Sequence, residues 1–142
     1  MTRLTISTLL CTLLIGLLAV SAQDETTGIF PDKNLEKAVR KYVFEKRNNE
    51  EPLTVADVEN ISTIVAKGSE IASLAGLENC RSLALLDLET NAISDLGPIK
   101  ELKNIQSLNV AGNKISDLTP VAGLTALQYL HIADNELSDL AP

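Results

Sequence analysis

The chain has 142 residues, of which 45% are hydrophobic, 22% are charged and only 3% are aromatic, with no tryptophan. This length excludes a large multidomain enzyme, and the scarcity of aromatic side chains disfavours a surface that stacks nucleic-acid bases. The net charge of −7 would repel a phosphate backbone, and one histidine with two cysteines leaves little material for a metal site or a histidine-based catalytic centre.

The first predicted element is a secretory signal peptide over residues 1–22. Residues 4–22 are almost wholly apolar, Arg3 precedes them, and small residues lead up to the expected cleavage after Ala22. An uncleaved membrane anchor is the alternative, because the stretch is nearly long enough to span a bilayer. The acidic residues that follow favour cleavage. The exported chain would then keep Cys80 as its one cysteine and form no internal disulfide.

Residues 23–57 are predicted to form a linker and a helical cap. Apolar residues recur at helical spacing within 32–47, and a second helical stretch covers 54–60. The residues expected to face inward are Leu35, Ala38, Val39, Tyr42, Val55 and Val58. Residues 32–47 carry six basic and three acidic side chains. This excess could steer an acidic partner, but a solvated helix face is the favoured interpretation.

From residue 58 the sequence repeats every 22 residues. The best-marked unit begins at Leu102, and the same apolar and Asn positions recur 22 residues earlier and later. The four predicted coils are 58–79, 80–101, 102–123 and 124–142. A period of this length is typical of leucine-rich repeats. The sequence therefore predicts an α/β solenoid of about four coils, with a parallel concave sheet, a short helical or 3₁₀ convex side and a helical N-terminal cap.

Each part of the repeat has a physical interpretation. Apolar residues alternate with a polar one in Leu108-Asn109-Val110, which is the strand period. The Asn residues that follow each strand would form a ladder of amide hydrogen bonds between coils. The Ser-Asp pairs before Pro98 and Pro120 are good starters of a helical turn, and this structural role is favoured over metal binding. Cys80 occupies a Leu position, so it is expected to be a buried apolar substitute.

The cap and the repeats together resemble a known family. The segments that carry the likeness are Ile29-Phe30-Pro31-Asp32, residues 53–58, residues 71–78 and the Ser-Asp-Leu-x-Pro repeats. They are similar to the internalin-type leucine-rich repeat proteins of bacteria, over residues 29–142. The resemblance implies a curved solenoid that is exported, as a secreted, cell-surface or periplasmic protein. It also implies that the concave face binds a protein partner.

The sequence departs from the family at its C-terminal side. Only four coils are present, and neither an immunoglobulin-like cap nor a cell-wall sorting signal follows them. The last coil would then expose apolar residues at its edge, namely Leu127, Leu130, Leu137 and Leu140. Two alternatives follow from this prediction. Either the chain is a fragment of a longer surface protein, or it is a structural protein that associates through this edge.

Strand alternation predicts which side chains face outward on the sheet. The three outward columns are Thr63, Leu85, Ser107 and Tyr129; then Val65, Asp87, Asn109 and His131; then Lys67, Glu89, Ala111 and Ala133. From these we predict a partner-binding surface for a protein, or alternatively a glycan, made of Leu85, Asp87, Glu89, Ser107, Asn109, Tyr129 and His131. Ser107, His131 and Asp87 make a poor catalytic triad, because the acid and the histidine are two strands, or about 9–10 Å, apart. We therefore predict no catalysis, no cofactor and no metal.

Overall fold

The structure, a computed structural model, describes residues 28–138. The predicted signal peptide, part of the linker, Leu140 and Pro142 lie outside the described residues. Within this range the structure has two helices, α1 (Lys33–Arg40) and α2 (Val55–Val58). The strands are β1 (Thr63–Val65), β2 (Leu85–Asp87), β3 (Ser107–Asn109) and β4 (Tyr129–His131). Three 3₁₀ turns cover Leu77–Asn79, Gly97–Ile99 and Thr119–Gly123.

The strands form one parallel sheet in the order β1-β2-β3-β4. Each strand pairs with the next in a register shifted by one repeat, so that Ile64 lies beside Leu86 and Leu86 beside Leu108. Backbone pairing continues past the strand ends, since the N–H of Leu88 donates to the carbonyl of Asn109 at 2.8 Å. The predicted solenoid with its parallel sheet is confirmed.

The core is a stack of aliphatic residues that runs from the cap through the coils. Ile64, Leu86 and Leu108 are fully buried, as are Ile71, Ile93 and Ile115 in the next column. Leu130 occupies the same register position in β4 but is 37% exposed, because no strand within residues 28–138 lies on its far side. Leu127 and Leu137 are only partly buried against this core.

The predicted asparagine ladder is confirmed by its hydrogen bonds. Asn113 accepts from the N–H of Ile93 at 3.0 Å and donates to the carbonyls of Leu88 and Val110 at 3.0 and 2.9 Å. Asn91 and Asn135 make equivalent bonds in their coils. Each amide bonds to its own coil and to the preceding one, which links neighbouring coils.

The convex side turns as the sequence predicts. Asp95 and Asp117 accept from the N–H groups of Gly97 and Thr119, at 2.7 and 2.8 Å. The prolines at 98 and 120 occupy the first turn of the 3₁₀ segments that follow. These carboxylates therefore act as local caps of the turn, which satisfies backbone donors that the short 3₁₀ segments leave free.

The coils share a second repeated feature, a residue with positive φ, which the sequence analysis did not predict. The residue just before each ladder position has positive φ: Gly68 at 55°, Thr90 at 58°, Gly112 at 67° and Asp134 at 54°. Glycine adopts this left-handed region without strain, whereas a β-branched residue does so only at a cost. Gly68 and Gly112, spaced by two repeats, were the sequence signal for this column. Thr90 fills the same position with a strained backbone.

The first helix of the cap is shorter than predicted, and polar contacts hold the cap against the first coil. Asp32 caps α1 through one carboxylate oxygen, while the other accepts from the N–H groups of Ala72 and Ser73 at 2.8 and 3.0 Å. The helix ends at Arg40 instead of reaching residue 47. The guanidinium of Arg40 donates to three carbonyls between residues 46 and 51, which folds the chain back on the helix.

The prediction that all six cap residues face inward is wrong for two of them. Leu35, Ala38, Val39 and Val58 are buried, but Tyr42 is 39% and Val55 is 40% exposed. Tyr42 lies beyond the end of α1, so helical spacing no longer sets its direction. Val55 is the first residue of a single helical turn, and only Val58 at the end of that turn faces the core.

Candidate functional site

The concave face of the sheet carries all seven residues of the predicted binding surface. The register places Leu85, Ser107 and Tyr129 in one outward column and Asp87, Asn109 and His131 in the next. Glu89 follows β2 on the same side, two residues after Asp87. The main-chain groups of the inner strands are used in pairing between strands, so a partner would contact this face mainly through its side chains.

An apolar part of this face is open to solvent. Tyr129 is 55% exposed, Leu85 is 37% exposed and Val65 is 41% exposed. Tyr129 and Leu85 share a column, with the smaller Ser107 between them. Strand alternation placed Val65 in an outward column but outside the predicted site, and the structure adds this residue to the apolar part.

A polar network crosses the same face beside the apolar part. The Lys67 Nζ atom lies 2.8 Å from Glu89 Oε2 and 3.2 Å from Asp87 Oδ2. Asn109 Nδ2 donates to the same Glu89 oxygen at 3.1 Å. Lys67 was placed in the outward column with Glu89 but was not included among the site residues. Its opposite charge, one repeat before Glu89, was the signal that would have identified it.

The charges of this network reinforce one another. The hydrogen bonds from Lys67 and then Asn109, together with the positive field of Lys67 and of His131, hold the pKa of Glu89 below its usual range. The hydrogen bonds to Glu89 and Asp87 raise the pKa of Lys67. The network joins two acidic side chains to one basic side chain, so its formal charge is one negative charge in excess.

The three residues considered as a triad are not brought together. Asn109 lies between Asp87 and His131 in the register of the sheet. Within residues 28–138, no cluster of three His, Cys, Asp or Glu side chains could hold a metal ion. Cys80 is fully buried, and burial followed by the nearby Glu78 charge raises the pKa of its thiol to about 12. This thiol is therefore not a reactive nucleophile.

Comparison with known proteins places the fold. A family profile described as leucine rich repeats (2 copies) matches residues 103–142. The structure of an internalin, InlF, from Listeria monocytogenes superposes with a TM-score of 0.72 at 31% identity and covers 79% of this chain. The functional domain of InlJ, which is from the same organism and includes a cysteine ladder, gives a TM-score of 0.69 at 26% identity and also covers 79% of this chain. Internalin C2 gives 0.54 at 28% identity.

The chain therefore has a leucine-rich repeat fold that is similar to that of the internalins. It spans 33% of the InlF chain, 24% of the InlJ chain and 69% of the internalin C2 chain. No curated protein matches its sequence significantly. The predicted internalin-type likeness, which rested on the cap and on the Ser-Asp-Leu-x-Pro repeats, is confirmed. In the described part of the chain, no helix has the length and apolar character needed to cross a membrane.

Proposed function

We propose that this internalin-type chain is an exported module that binds a protein partner on its concave sheet and catalyses no reaction. The observation that carries the proposal is the ordered network of Lys67, Asp87, Glu89 and Asn109 beside the exposed Leu85 and Tyr129. Interfaces commonly combine aromatic anchors with polar groups at their rim. Side chains already held in place lose less conformational entropy when a partner binds.

The size of the face limits the shape of the partner. Neighbouring strands lie about 4.8 Å apart, so four strands span about 14 Å. That width matches a single helix, whose diameter with side chains is about 10–12 Å, or an extended loop. We therefore propose that the partner presents one slender element to these coils. Because the network carries an excess negative charge, a basic group on that element would be favoured.

Export is the second part of the proposal, and the sequence of residues 1–22 supports it. An apolar stretch follows a single Arg3 and ends in small residues, as in a secretory signal. Expression of the full chain in a bacterial host, with mass spectrometry of the secreted or periplasmic product, tests it. The expected mature chain begins at Gln23. Retention of residues 1–22 on a membrane-bound product would contradict cleavage.

Binding is tested by affinity capture from a preparation of cell-surface proteins. The chain is compared with a double variant, Asp87→Ala plus Tyr129→Ala, that removes one charge and one aromatic anchor from the concave face. The matched control is Glu101→Ala plus Lys103→Ala, an exposed pair 4.0 Å apart that follows the 3₁₀ turn on the opposite side of the coil.

We expect a specific partner to be recovered by the unmodified chain and by the control, and to be lost from the concave double variant. Truncating an anchor of this kind commonly costs more than about 2 kcal/mol of binding free energy. All three proteins should melt at nearly the same temperature, because the changed side chains are partly or largely solvated. Equal recovery by all three would rule out the concave site. Association through the last coil stays a prediction, which light scattering tests.

A further inference from the structure

The first strand of the sheet has an outer edge that faces the cap. In β1 the even-numbered residues pair with β2, as shown by the N–H of Ala66, which donates to Asp87, and the carbonyl of Ser62, which accepts from Leu85. The N–H and carbonyl groups of Thr63 and Val65 therefore point away from β2. An edge of this kind is an open template for another strand.

The cap closes half of this edge with a single side chain. The Tyr42 hydroxyl accepts from the N–H of Val65 at 2.8 Å and lies 3.4 Å from the carbonyl oxygen of the same residue. One hydroxyl thus serves both main-chain groups of Val65. The phenol ring stays 39% exposed beside the strand.

The other half of the edge is left open. Among the described residues, the main-chain N–H and carbonyl of Thr63 have no hydrogen-bond partner. Thr63 also lines an open notch of about 320 Å³ between the cap and the first coil, together with Tyr42, Asp57, Asn60, Ile61 and Ser62. This volume is many times the roughly 10–15 Å³ that one water-sized probe occupies, so the notch has room for a peptide group with one side chain.

The notch is polar but carries little net charge. The Asp57 carboxylate, its one ionised group, is paired with Lys46 at 2.8 Å. The remaining polar lining consists of amide and hydroxyl groups, and Ile61 supplies the apolar part. A charged ligand would lose its hydration here without meeting an unpaired opposite charge. An uncharged group with one donor and one acceptor matches the free N–H and carbonyl of Thr63.

We propose that this notch is a peptide-binding site in which the main-chain amide of an extended segment pairs with Thr63 as an added strand. The site lies at one end of the concave face, because Thr63 is also the first residue of an outward column. It does not depend on the polar network of that face. Tyr42 limits the added strand to a single paired residue, so isolated peptides bind weakly and a longer segment must bend away at Val65.

The test is a titration of the ¹⁵N-labelled protein with acetyl-trithreonine methylamide, an uncharged peptide with high strand propensity, followed by amide chemical shifts. We expect saturable shifts centred on residues 62–64 and on Tyr42. The same peptide with its central nitrogen methylated has lost one donor and is expected to bind at least about tenfold more weakly. Thr63→Pro should weaken binding to a similar extent, since proline removes the N–H and projects its ring into the notch.

Three control variants distinguish pairing with the Thr63 main chain from contact with its hydroxyl or with the concave face. Thr63→Val keeps the main-chain groups and should bind within about twofold of the unmodified chain, because a single partly solvated hydroxyl contributes little. Tyr42→Phe frees the groups of Val65, so shifts should extend to that residue. Asp87→Ala plus Tyr129→Ala should leave peptide binding unchanged, which keeps this result independent of the concave partner.

Proline is tolerated on an edge strand when its nitrogen faces outward, and a thermal melt checks that Thr63→Pro is folded. If that variant fails to fold, the methylated peptide decides the question. Absence of saturable shifts at Thr63 would overturn the proposal. Equal binding of the two peptides would do the same, and so would loss of binding in Thr63→Val, since contact would then depend on the hydroxyl.

Discussion

The coils and the cap are stabilised in different ways. In the coils the same contacts recur every 22 residues, with an aliphatic rung inside and an Asn amide linking each coil to its neighbour. In the cap each contact occurs once: Asp32 joins α1 to the first coil, Arg40 holds the loop after α1, and Lys46 pairs with Asp57.

This difference follows from what lies on the N-terminal side of each coil. A coil in the middle of the stack finds matching backbone groups in the coil before it. The first coil has no preceding coil, and the cap contacts it through side chains, as where Asp32 accepts from the N–H groups of Ala72 and Ser73. Each internal coil can use the same contacts with its neighbours, whereas the end of the stack requires capping contacts that occur only there. Substitutions in the coils and in the cap should therefore differ in the size and the spread of their effects.

The largest effect is expected from Leu108→Ala. Leu108 is fully buried between two other coils, and removing such a side chain costs about 2–5 kcal/mol. Urea denaturation followed by circular dichroism measures the free energy of unfolding. Leu130→Ala is the matched control, because the same register position in β4 is 37% exposed and its loss should be clearly smaller. Equal losses would contradict the assigned core.

Asn113→Ala should have the next largest effect. The carbonyls of Leu88 and Val110 would keep Asn91 and Asn135 as donors. Only the buried N–H of Ile93 would lose its partner. One such buried group costs about 1–3 kcal/mol. The control Asn109→Ala changes the same residue type on the outward face of β3. If Asn113→Ala unfolds at the same urea concentration as that control, the ladder contributes no stability.

In the cap, Asp32→Ala is expected to lower the free energy of unfolding by about 1–2 kcal/mol. Loss of a helix N-cap typically accounts for about 1 kcal/mol. The remainder comes from the two N–H groups of the first coil that lose their acceptor. Hydrogen exchange should show faster exchange at α1 and at residues 72 and 73 than at β3. Asp117→Ala serves as the control, since it removes a cap from one convex turn without joining two regions. Uniform acceleration across all coils would contradict a cap-specific role.

Acid should weaken the cap through Asp57. Burial would raise the pKa of this carboxyl, but the hydrogen bonds from Lys46 and Thr54 lower it from 3.8 to about 2. Because the folded pKa lies below the unfolded one, its contribution is complete above about pH 4 and is lost as the pH falls towards 2. Unfolding followed against pH should show a shallower decline in Asp57→Asn than in the unmodified chain. Parallel profiles would exclude this carboxyl as a source of acid sensitivity.

The smallest effect should be a gain. Thr90 has a φ of 58° in a column that holds glycine at two of its four positions. Thr90→Gly relieves that strain, partly offset by the greater freedom of glycine in the unfolded chain, and should stabilise the protein by up to about 1 kcal/mol. The reverse change, Gly112→Thr, should destabilise it, since a β-branched residue would then be held at a φ of 67°. A loss of stability in Thr90→Gly would show that its side chain contributes more than its backbone costs.

Much of the fold was predictable because the same pattern of apolar and Asn residues recurs in several coils. Leu86, Leu108 and Leu130 occur 22 residues apart, so an error at one position would not change the register. The cap offers no such redundancy. Helical spacing predicted that Tyr42 faces inward. The helix instead ends before this residue, and the Tyr42 hydroxyl accepts a hydrogen bond from Val65 on the edge of β1. The outward columns were predicted correctly, but the ion pair between Lys67 and Glu89 depends on rotamers and distances that a pattern does not contain.

By itself, the sequence determined the parallel stack of coils, the inward and outward sets of each strand and the asparagine ladder, because all of these follow from a period that local chemistry enforces. Only the tertiary structure decided where α1 ends, how Asp32 and Arg40 hold the cap, and that the main-chain groups of Thr63 beside Tyr42 have no partner among residues 28–138. Each of these features depends on contacts that occur once, and several of those contacts join segments far apart in the chain, so no period reveals them. Their geometry is set only when the cap packs against the first coil.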